Sequence, residues 1–556
     1  MLALSSKTPS PFLPRDQEEA AEPAPKKTEK ASTVAPVVTI DFNGLKQRVI
    51  PIPLPGNNYG KARIVNGRII VQSAGSLLAY DLHSRTSVVL QGGVGNFWVS
   101  ADNKHLLIQS GNNLQVVSSA TGPFNSSTGL VPMAGLQLKI TPKQEWKQIF
   151  NEAWRIARDF FYDPAMHGLN WNAVYKKYNA QLAGVEDRSE LNYILGNMIA
   201  ELNVGHAFVG GGDDGIVGPS MPMGFLGANL APVPGKNAFK IVTLLHGDGF
   251  NLSNRSPLLQ PGLNVQQGDY IVAVNERPVQ ADRDIQAMLI GTAGHTIALA
   301  VNTIPTLAGA RTIYIKPLNQ YQDSMARYSH WVNQRRRYVR KAGGGKIAYL
   351  HIPDMETRGM EEFNKRYFAV NQNHQAIIYD VRSNGGGYIS GTLLVQMAFK
   401  PFSWFKPRFG ASWTRYDFGF GGDAACLSNA TSSSDAEEFS DAFQRLHLGP
   451  VIGQRTWGGE VGSGGGYHLI DGGTIFISNY GEWVAGKNGK THWVIEGHGV
   501  RPNINVPLDP AARLAGLDPT LEAAVNYLKN ELAKHPIPHY SHPPFPVMTN
   551  SPLAKK

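Results

Sequence analysis

Residues 422–439 constrain the fold more than any other stretch. The apolar run at residues 424–427 has the length of a strand, and small polar residues follow it as far as Ser434. Phe439, Ala442, Phe443 and Leu446 then recur on one helical face. A strand, a tight turn and a helix therefore meet at the serines. A hydroxyl in that turn lies beside the helix's first unpaired N–H groups, where the helix dipole favours negative charge. Acyl transfer needs a nucleophilic oxygen next to donors for an oxyanion, and this turn can supply both. Serine is also a favoured helix N-cap, so Ser432, Ser433 and Ser434 have a purely structural explanation as well. The remainder of the chain decides between the two.

At 556 residues the chain is long enough for three or four domains, each with its own core. Its 59 glycines and 36 prolines point to many turns and to β-rich parts. No run of apolar residues is long enough to span a bilayer, and the N-terminus lacks a signal-peptide-like apolar segment, so a cytoplasmic protein without a membrane partner is expected. The single cysteine, Cys426, excludes an intramolecular disulfide framework and fits a reducing compartment. It falls inside an apolar strand, where a small buried hydrophobe is expected rather than a nucleophile. The net charge of +9 is dispersed, and the one dense basic cluster, residues 335–341, reads as a solvated helix end; no nucleic-acid partner is expected.

Residues 1–35 are rich in proline, charge and alanine without apolar periodicity, which predicts a disordered linker; a chain that starts in a linker suggests missing upstream sequence. Residues 36–137 hold short alternating segments at 37–41, 63–65, 68–72, 77–82, 87–90, 96–100, 105–109 and 114–118. Strands at this spacing fit about two β-propeller blades, with a small β-sandwich as the alternative. From Thr141 the period changes to helical, and residues 138–215 read as a helical domain ending in Gly205-His206 before a strand-like run. Residues 216–320 look like a PDZ domain, with central strands around residues 263–279, a helix at 282–290 and a strand at 296–302. Such a domain adds a peptide as an extra strand at a sheet edge, or serves only as a spacer.

Residues 321–535 carry the strands 345–352 and 376–381 with a helix at 359–369 between them, a parallel βαβ pattern. The second strand leads into Asn384-Gly385-Gly386-Gly387 and a helix near 393–399. Exposed N–H groups of a glycine cluster make an anion site. The Lys-Ser/Thr ending of a phosphate loop is absent, so an oxyanion fits better than a phosphate. Glu496 offers a carboxylate in a glycine-containing loop. His535, His539 and His542 lie in a proline-rich tail, residues 536–556 being expected to be flexible, and no metal site is expected there.

A helical domain ending in Gly-His, a PDZ-like insert, Asp-Val-Arg-x-Asn-Gly-Gly-Gly, Ser-Asp-Ala-Glu and Glu-Gly-x-Gly-Val-x-Pro occur here in that order. The ordered set resembles the catalytic half of the tricorn proteases, relatives of the C-terminal processing peptidases, over about residues 36–535. The resemblance implies a multidomain α+β and α/β protein: partial β-propeller, helical domain, PDZ-like domain and a ClpP/crotonase-like α/β catalytic domain, begun late in the second propeller. It implies a serine peptidase acting on oligopeptides, assembled as a homo-oligomer (a hexamer in the family), without metal or organic cofactor. Carried over residue by residue, Ser434 is the nucleophile, His206 the general base, Glu496 the orienting carboxylate, and the N–H groups of Gly387 and Asp435 the oxyanion hole.

Two departures stand out. Archaeal tricorn has a serine just before the histidine where Gly205 stands here, so a water, Ser432 or Ser433 would have to complete the relay to Glu496. The family's acidic determinant for basic substrates should fall near residues 400–408, which are basic and aromatic, so apolar or aromatic residues are expected before the cleaved bond. The competing reading is a peptide- or ligand-binding module on the same fold without turnover.

Overall fold

Short alternating strands joined by tight turns pair antiparallel with their sequence neighbours, because the chain reverses at each turn. The computed structural model describes residues 1–13, 38–133, 135–215, 221–249, 251–415, 419–486, 489–493, 496–536, 541–546 and 548. In its first unit, Met1–Ile140, β1 (Tyr59–Val65), β2 (Arg68–Ser73), β3 (Ser76–Asp81) and β4 (Thr86–Gly92) form one antiparallel meander. A second meander contains β5 (Asn96–Val99), β6 (His105–Ser110) and β7 (Asn113–Ser118). Leu77, Leu90, Phe97, Leu106 and Ile108 form the core of the unit.

Two expectations fail in this unit. Residues 38–41 are not a strand; Asp41 instead accepts Ser6 N–H at 2.8 Å and donates its own N–H to Leu4 O at 2.9 Å, single bonds rather than a ladder. The first thirteen residues of the expected linker are also bonded to the unit: the Met1 ammonium donates to Ile50 O at 2.8 Å, and Arg85 donates to Pro11 O at 2.8 Å. Residues 14–35 lie outside the described residues.

The second unit, Thr141–Lys556, opens with α1 (Pro142–Phe160), α2 (Trp171–Asn179) and α3 (Arg188–Ala200). Proline at the first helical position starts α1, and the side chains of Asn170 and Asp187 accept the N–H groups of Ala173 and Glu190 to cap the other two. Ile149, Phe150, Ala153, Leu191, Leu195 and Met198 are buried between these helices. The short strand β8 (Phe208–Gly210) follows.

The next region is an antiparallel sheet of β9 (Ala228–Pro232), β10 (Phe239–Leu244), β11 (Tyr270–Val274), β12 (Arg277–Pro278), β13 (Ile297–Asn302) and β14 (Arg311–Ile315). The helix expected at 282–290 is a single 3-10 turn, Ile285–Leu289, because the chain already bridges Met223 at Ile290 and leaves no room for an α-helix.

After the long α4 (Gln320–Ala342) the chain alternates strand and helix: β15 (Ile347–His351), α5 (Thr357–Asn373), β16 (Ala376–Asp380) and α6 (Ser390–Ala398). The hairpin strands β17 (Trp404–Phe405) and β18 (Trp413–Thr414) precede β19 (Asp423–Ser428), α7 (Asp435–Arg445) and β20 (Val451–Gly453). Then come β21 (Gly466–His468), β22 (Thr474–Phe476), β23 (Trp483–Ala485), β24 (Thr491–Trp493), β25 (Ile504–Asn505), α8 (Pro510–Leu514) and α9 (Pro519–Lys534). The central sheet has the order β15-β16-β19-β20-β25 and every pair in it is parallel. Its strands are covered on both sides, which is why they read as continuous apolar runs.

Alternate residues face opposite layers. Leu350, Tyr379 and Cys426 meet Phe363, Leu393 and Phe439, whereas Tyr349, Ile378 and Leu427 meet Val339, Leu521 and Leu528. Burial pushes the Cys426 thiol far up, consistent with a core residue. On α7 the expected inward face holds for Phe439 and Phe443, but Leu446 is 50% exposed because it already belongs to the C-cap. Phe439→Ala should therefore destabilise the fold by about 3–5 kcal/mol; the check is a lower urea midpoint with an unchanged slope.

Candidate active site

The parallel sheet carries its loops at the C-terminal strand ends, where ligands bind in open α/β sheets. The turn after β19 is tied to the end of β16: Ser383 N–H donates to Asn429 Oδ1 at 2.9 Å, Ser432 Oγ to Val381 O at 2.8 Å, and Ser433 N–H to Asn384 O at 3.0 Å. These bonds deliver Ser434 to the N-terminus of α7 in a conformation rare for any residue but glycine, φ 54° and ψ −131°. Such backbone costs about 1–3 kcal/mol and persists where the surroundings hold it. Gly386 packs against it so closely that a Cβ there would come within 2.5 Å of Ser434 Cβ and 3.0 Å of its Oγ.

Gly387 is fixed by the flanking bonds from Met355 N–H to Gly386 O and from Tyr388 N–H to Met355 O, both 2.8 Å. Asp435 accepts Ser390 N–H at 3.0 Å through its buried carboxylate, joining the starts of α6 and α7. The N–H groups of Gly387 and Asp435 have no acceptor among the described residues.

His206 reaches this end of the sheet from the helical region. β8 pairs with β22, Phe208 opposite Phe476, so the chain just after the histidine is stitched to the catalytic region. A buried ion pair between Arg188 and Asp471 makes a second tie. The imidazole packs edge-on against Trp457, ring centres 5.6 Å apart, and Trp457 N–H donates to Ser432 O at 3.0 Å. Trp457 thus touches the histidine with its ring and the serine turn with its backbone. Burial lowers the His206 pKa below its ordinary 6.5, with Glu496 and Glu437 opposing the shift, and its Nδ1 is buried without a hydrogen-bond partner. No hydrogen bond joins His206 to Ser434 Oγ among the described residues.

Glu496 takes a different position from a carboxylate bonded to the imidazole. Its Oε1 accepts Gly205 N–H at 2.7 Å, and its Oε2 accepts the N–H groups of Glu460 at 2.6 Å and Val461 at 2.8 Å. It therefore ties the backbone just before the histidine to the 460–461 segment. The Gly205 departure has a steric cause: a Cβ there would come within 2.9 Å of Gly459 Cα and 3.0 Å of the Trp457 ring. Ser432 does not complete a relay, since its hydroxyl is buried and donates to Val381 O.

Sequence reasoning missed Glu437. This buried carboxylate accepts Gly458 N–H at 2.7 Å, Gly459 N–H at 2.9 Å, Ser434 N–H at 3.3 Å and the Thr456 hydroxyl. The capping-box spacing Ser434-x-x-Glu437 was the available signal. Lys400 follows α6 and lies beside Gly422 and Asp423, at the start of β19. Among the C-terminal histidines, His539 lies outside the described residues, and neither His535 nor His542 joins a metal-type grouping among the described ones.

A further acidic group stands one turn along α7 from Ser434. Carboxylate oxygens of Glu438, Glu460 and Glu482 lie within 4.8 Å of one another. Burial, together with the neighbouring carboxylates, raises the pKa of both Glu438 and Glu460.

Three family matches follow the chain. Residues 142–200 match the tricorn protease C1 domain, residues 224–320 the tricorn protease PDZ domain, and residues 346–506 peptidase family S41. The chain is similar to tricorn protease homolog 1 of Streptomyces coelicolor, 32% identical over 550 residues that cover 94% of this chain and 50% of the relative. It is 26% identical to tricorn protease of Thermoplasma acidophilum, over 92% of this chain and 48% of that one. A crystal structure of the tricorn protease superposes with a TM-score of 0.79 at 25% identity, covering 92% of this chain and 50% of that chain. The chain thus spans about half the length of the relatives it matches.

Two outcomes follow from this geometry. A base must be neutral to accept a proton, so kcat/KM should rise with pH through an acid limb centred below 6.5 and then level off; a limb centred above 6.5 in the pH–rate profile would contradict the buried, neutral imidazole. Gly205→Ser should cost at least ~10-fold in kcat/KM through displacement of Trp457, with the circular dichroism spectrum unchanged.

Proposed function

Because this chain is a tricorn protease homologue with tricorn C1 and PDZ domains and a family S41 peptidase domain, we propose that it is a serine peptidase cleaving oligopeptides at Ser434. The observation that carries this reading is the strained Ser434 flanked by the acceptor-free N–H groups of Gly387 and Asp435. Neutral His206 takes the Ser434 proton as Oγ attacks the peptide carbonyl, and the two N–H groups hold the oxyanion of the tetrahedral intermediate. The imidazolium then protonates the departing amine, leaving an acyl-Ser434 ester. A water, deprotonated by His206, attacks that ester and releases the second product.

Reaching Ser434 requires a closing movement of the segment that carries the histidine, of the kind that often completes a site only around bound substrate. Glu496 fixes the backbone just before His206 and adds negative charge that favours the imidazolium as it forms. In this reading the two N-terminal meanders are the last blades of a propeller, and the working protein is a homo-oligomer like the family, without a cofactor. No described helix is long and apolar enough to cross a membrane.

Mass spectrometry of products from a mixed oligopeptide substrate tests the proposal. Ser434→Ala should lower turnover by at least ~10³-fold while folding is unchanged. Peptide binding without products from the wild-type chain would favour the non-catalytic binding module. Activity retained in Ser434→Ala but lost in Ser433→Ala would move the nucleophile by one residue.

A further inference from the structure

The carboxylates around the serine turn differ in how their charge is met. Buried Glu437 and half-buried Glu496 each accept several backbone N–H groups. Glu460 is buried too, 3% exposed, yet neither of its carboxylate oxygens has a hydrogen-bond partner among the described residues. Its neighbours in space are two more carboxylates: Glu438, which lies four residues from Ser434 on the same face of α7, and the exposed Glu482, just before β23. No lysine, arginine or histidine forms an ion pair with any of the three among the described residues, and the nearby Arg445 is engaged by Asp441.

Three converging carboxylates, one of them buried without a donor among the described residues, must either keep protons or take up a cation, since a buried unpaired charge is costly. We propose that Glu438, Glu460 and Glu482 bind a divalent cation of the calcium type next to the active site.

The ligand chemistry selects this class of ion. An all-carboxylate set suits hard cations, whereas zinc favours nitrogen and sulfur donors. Calcium holds oxygens at about 2.3–2.6 Å, so ligands on opposite sides of one ion lie up to roughly 5 Å apart. The observed spread, within 4.8 Å, fits that span. Exposed Glu482 marks the open side, through which the ion enters and where waters complete its coordination. Glu460 couples the site to the catalytic groups. Its carboxylate belongs to the cluster while its own backbone N–H donates to Glu496 Oε2 at 2.6 Å, and Glu496 in turn holds Gly205 beside His206. An ion bound here fixes the 460–461 segment and, through Glu496, the histidine.

The test uses the full chain after treatment with a chelator. Calorimetric titration with calcium chloride should show one saturable site per chain, and the melting temperature should climb with the logarithm of calcium concentration. Both effects should vanish in Glu460→Gln and weaken at least tenfold in Glu482→Gln. The second variant changes an exposed residue, so it decides the matter if the first fails to fold. No binding heat and no thermal shift up to roughly 1 mM calcium, the weak end of protein calcium sites, would overturn the proposal. So would calcium binding that both variants retain. Wild-type affinity for a lysine-containing peptide that Glu482→Gln loses, without calcium binding, would reassign the cluster to a substrate cation and equally overturn it.

Discussion

The arrangement at the end of the central sheet depends on the buried carboxylate of Glu437. One charged group receives N–H groups from Gly458, Gly459 and Ser434 and the hydroxyl of Thr456. Charge-assisted bonds of this kind are roughly twice as strong as neutral ones, and low dielectric strengthens them further. They join the start of α7 to the 456–459 segment, whose Trp457 ring supports His206 and whose Gly459 backbone abuts Gly205. Glu496 closes the circuit from the other side by holding Gly205, Glu460 and Val461. Together with the Trp457 N–H bond to Ser432 O, Glu437 gives the serine turn and the histidine a common scaffold.

The same frame explains why small residues crowd the site. Gly386 permits contact with Ser434, Gly387 with Met355, and Gly205 with Trp457 and Gly459. Of the three, Gly205 and Gly386 spend their N–H groups on Glu496 and Asn384, and only the Gly387 N–H has no acceptor among the described residues; backbone donors of this kind hold their positions with little reorganisation. At position 205 the structure shows the backbone N–H bonded directly to the Glu496 carboxylate.

What was legible in the sequence was local or parallel. The strand, turn and helix of residues 422–439 could be read because apolar periodicity changes from continuous to helical within one short segment. The βαβ order of β15, α5 and β16 was legible for the same reason, as was the burial of Cys426. The position of Lys400 beside the start of β19 was not, because it depends on how the fold returns the chain after α6. The Glu438–Glu460–Glu482 cluster joins three segments far apart in sequence and has no motif. The outward Leu446 and the shortened helix at 285–289 show how end effects defeat periodicity over one turn. Glu437 could have been read from the capping-box spacing, but only the fold reveals that its carboxylate also gathers the 456–459 segment.

The central claim is that Ser434 is a single activated nucleophile flanked by oxyanion donors. Labelling the intact chain with a fluorophosphonate and mapping the adduct by tandem mass spectrometry tests it most directly, because the probe needs both an activated hydroxyl and stabilisation of the phosphoryl oxygen. The account predicts one adduct per chain, on Ser434, forming more slowly as pH falls below the His206 transition. An adduct on another serine, or an intact chain that remains unlabelled at neutral pH, would contradict it.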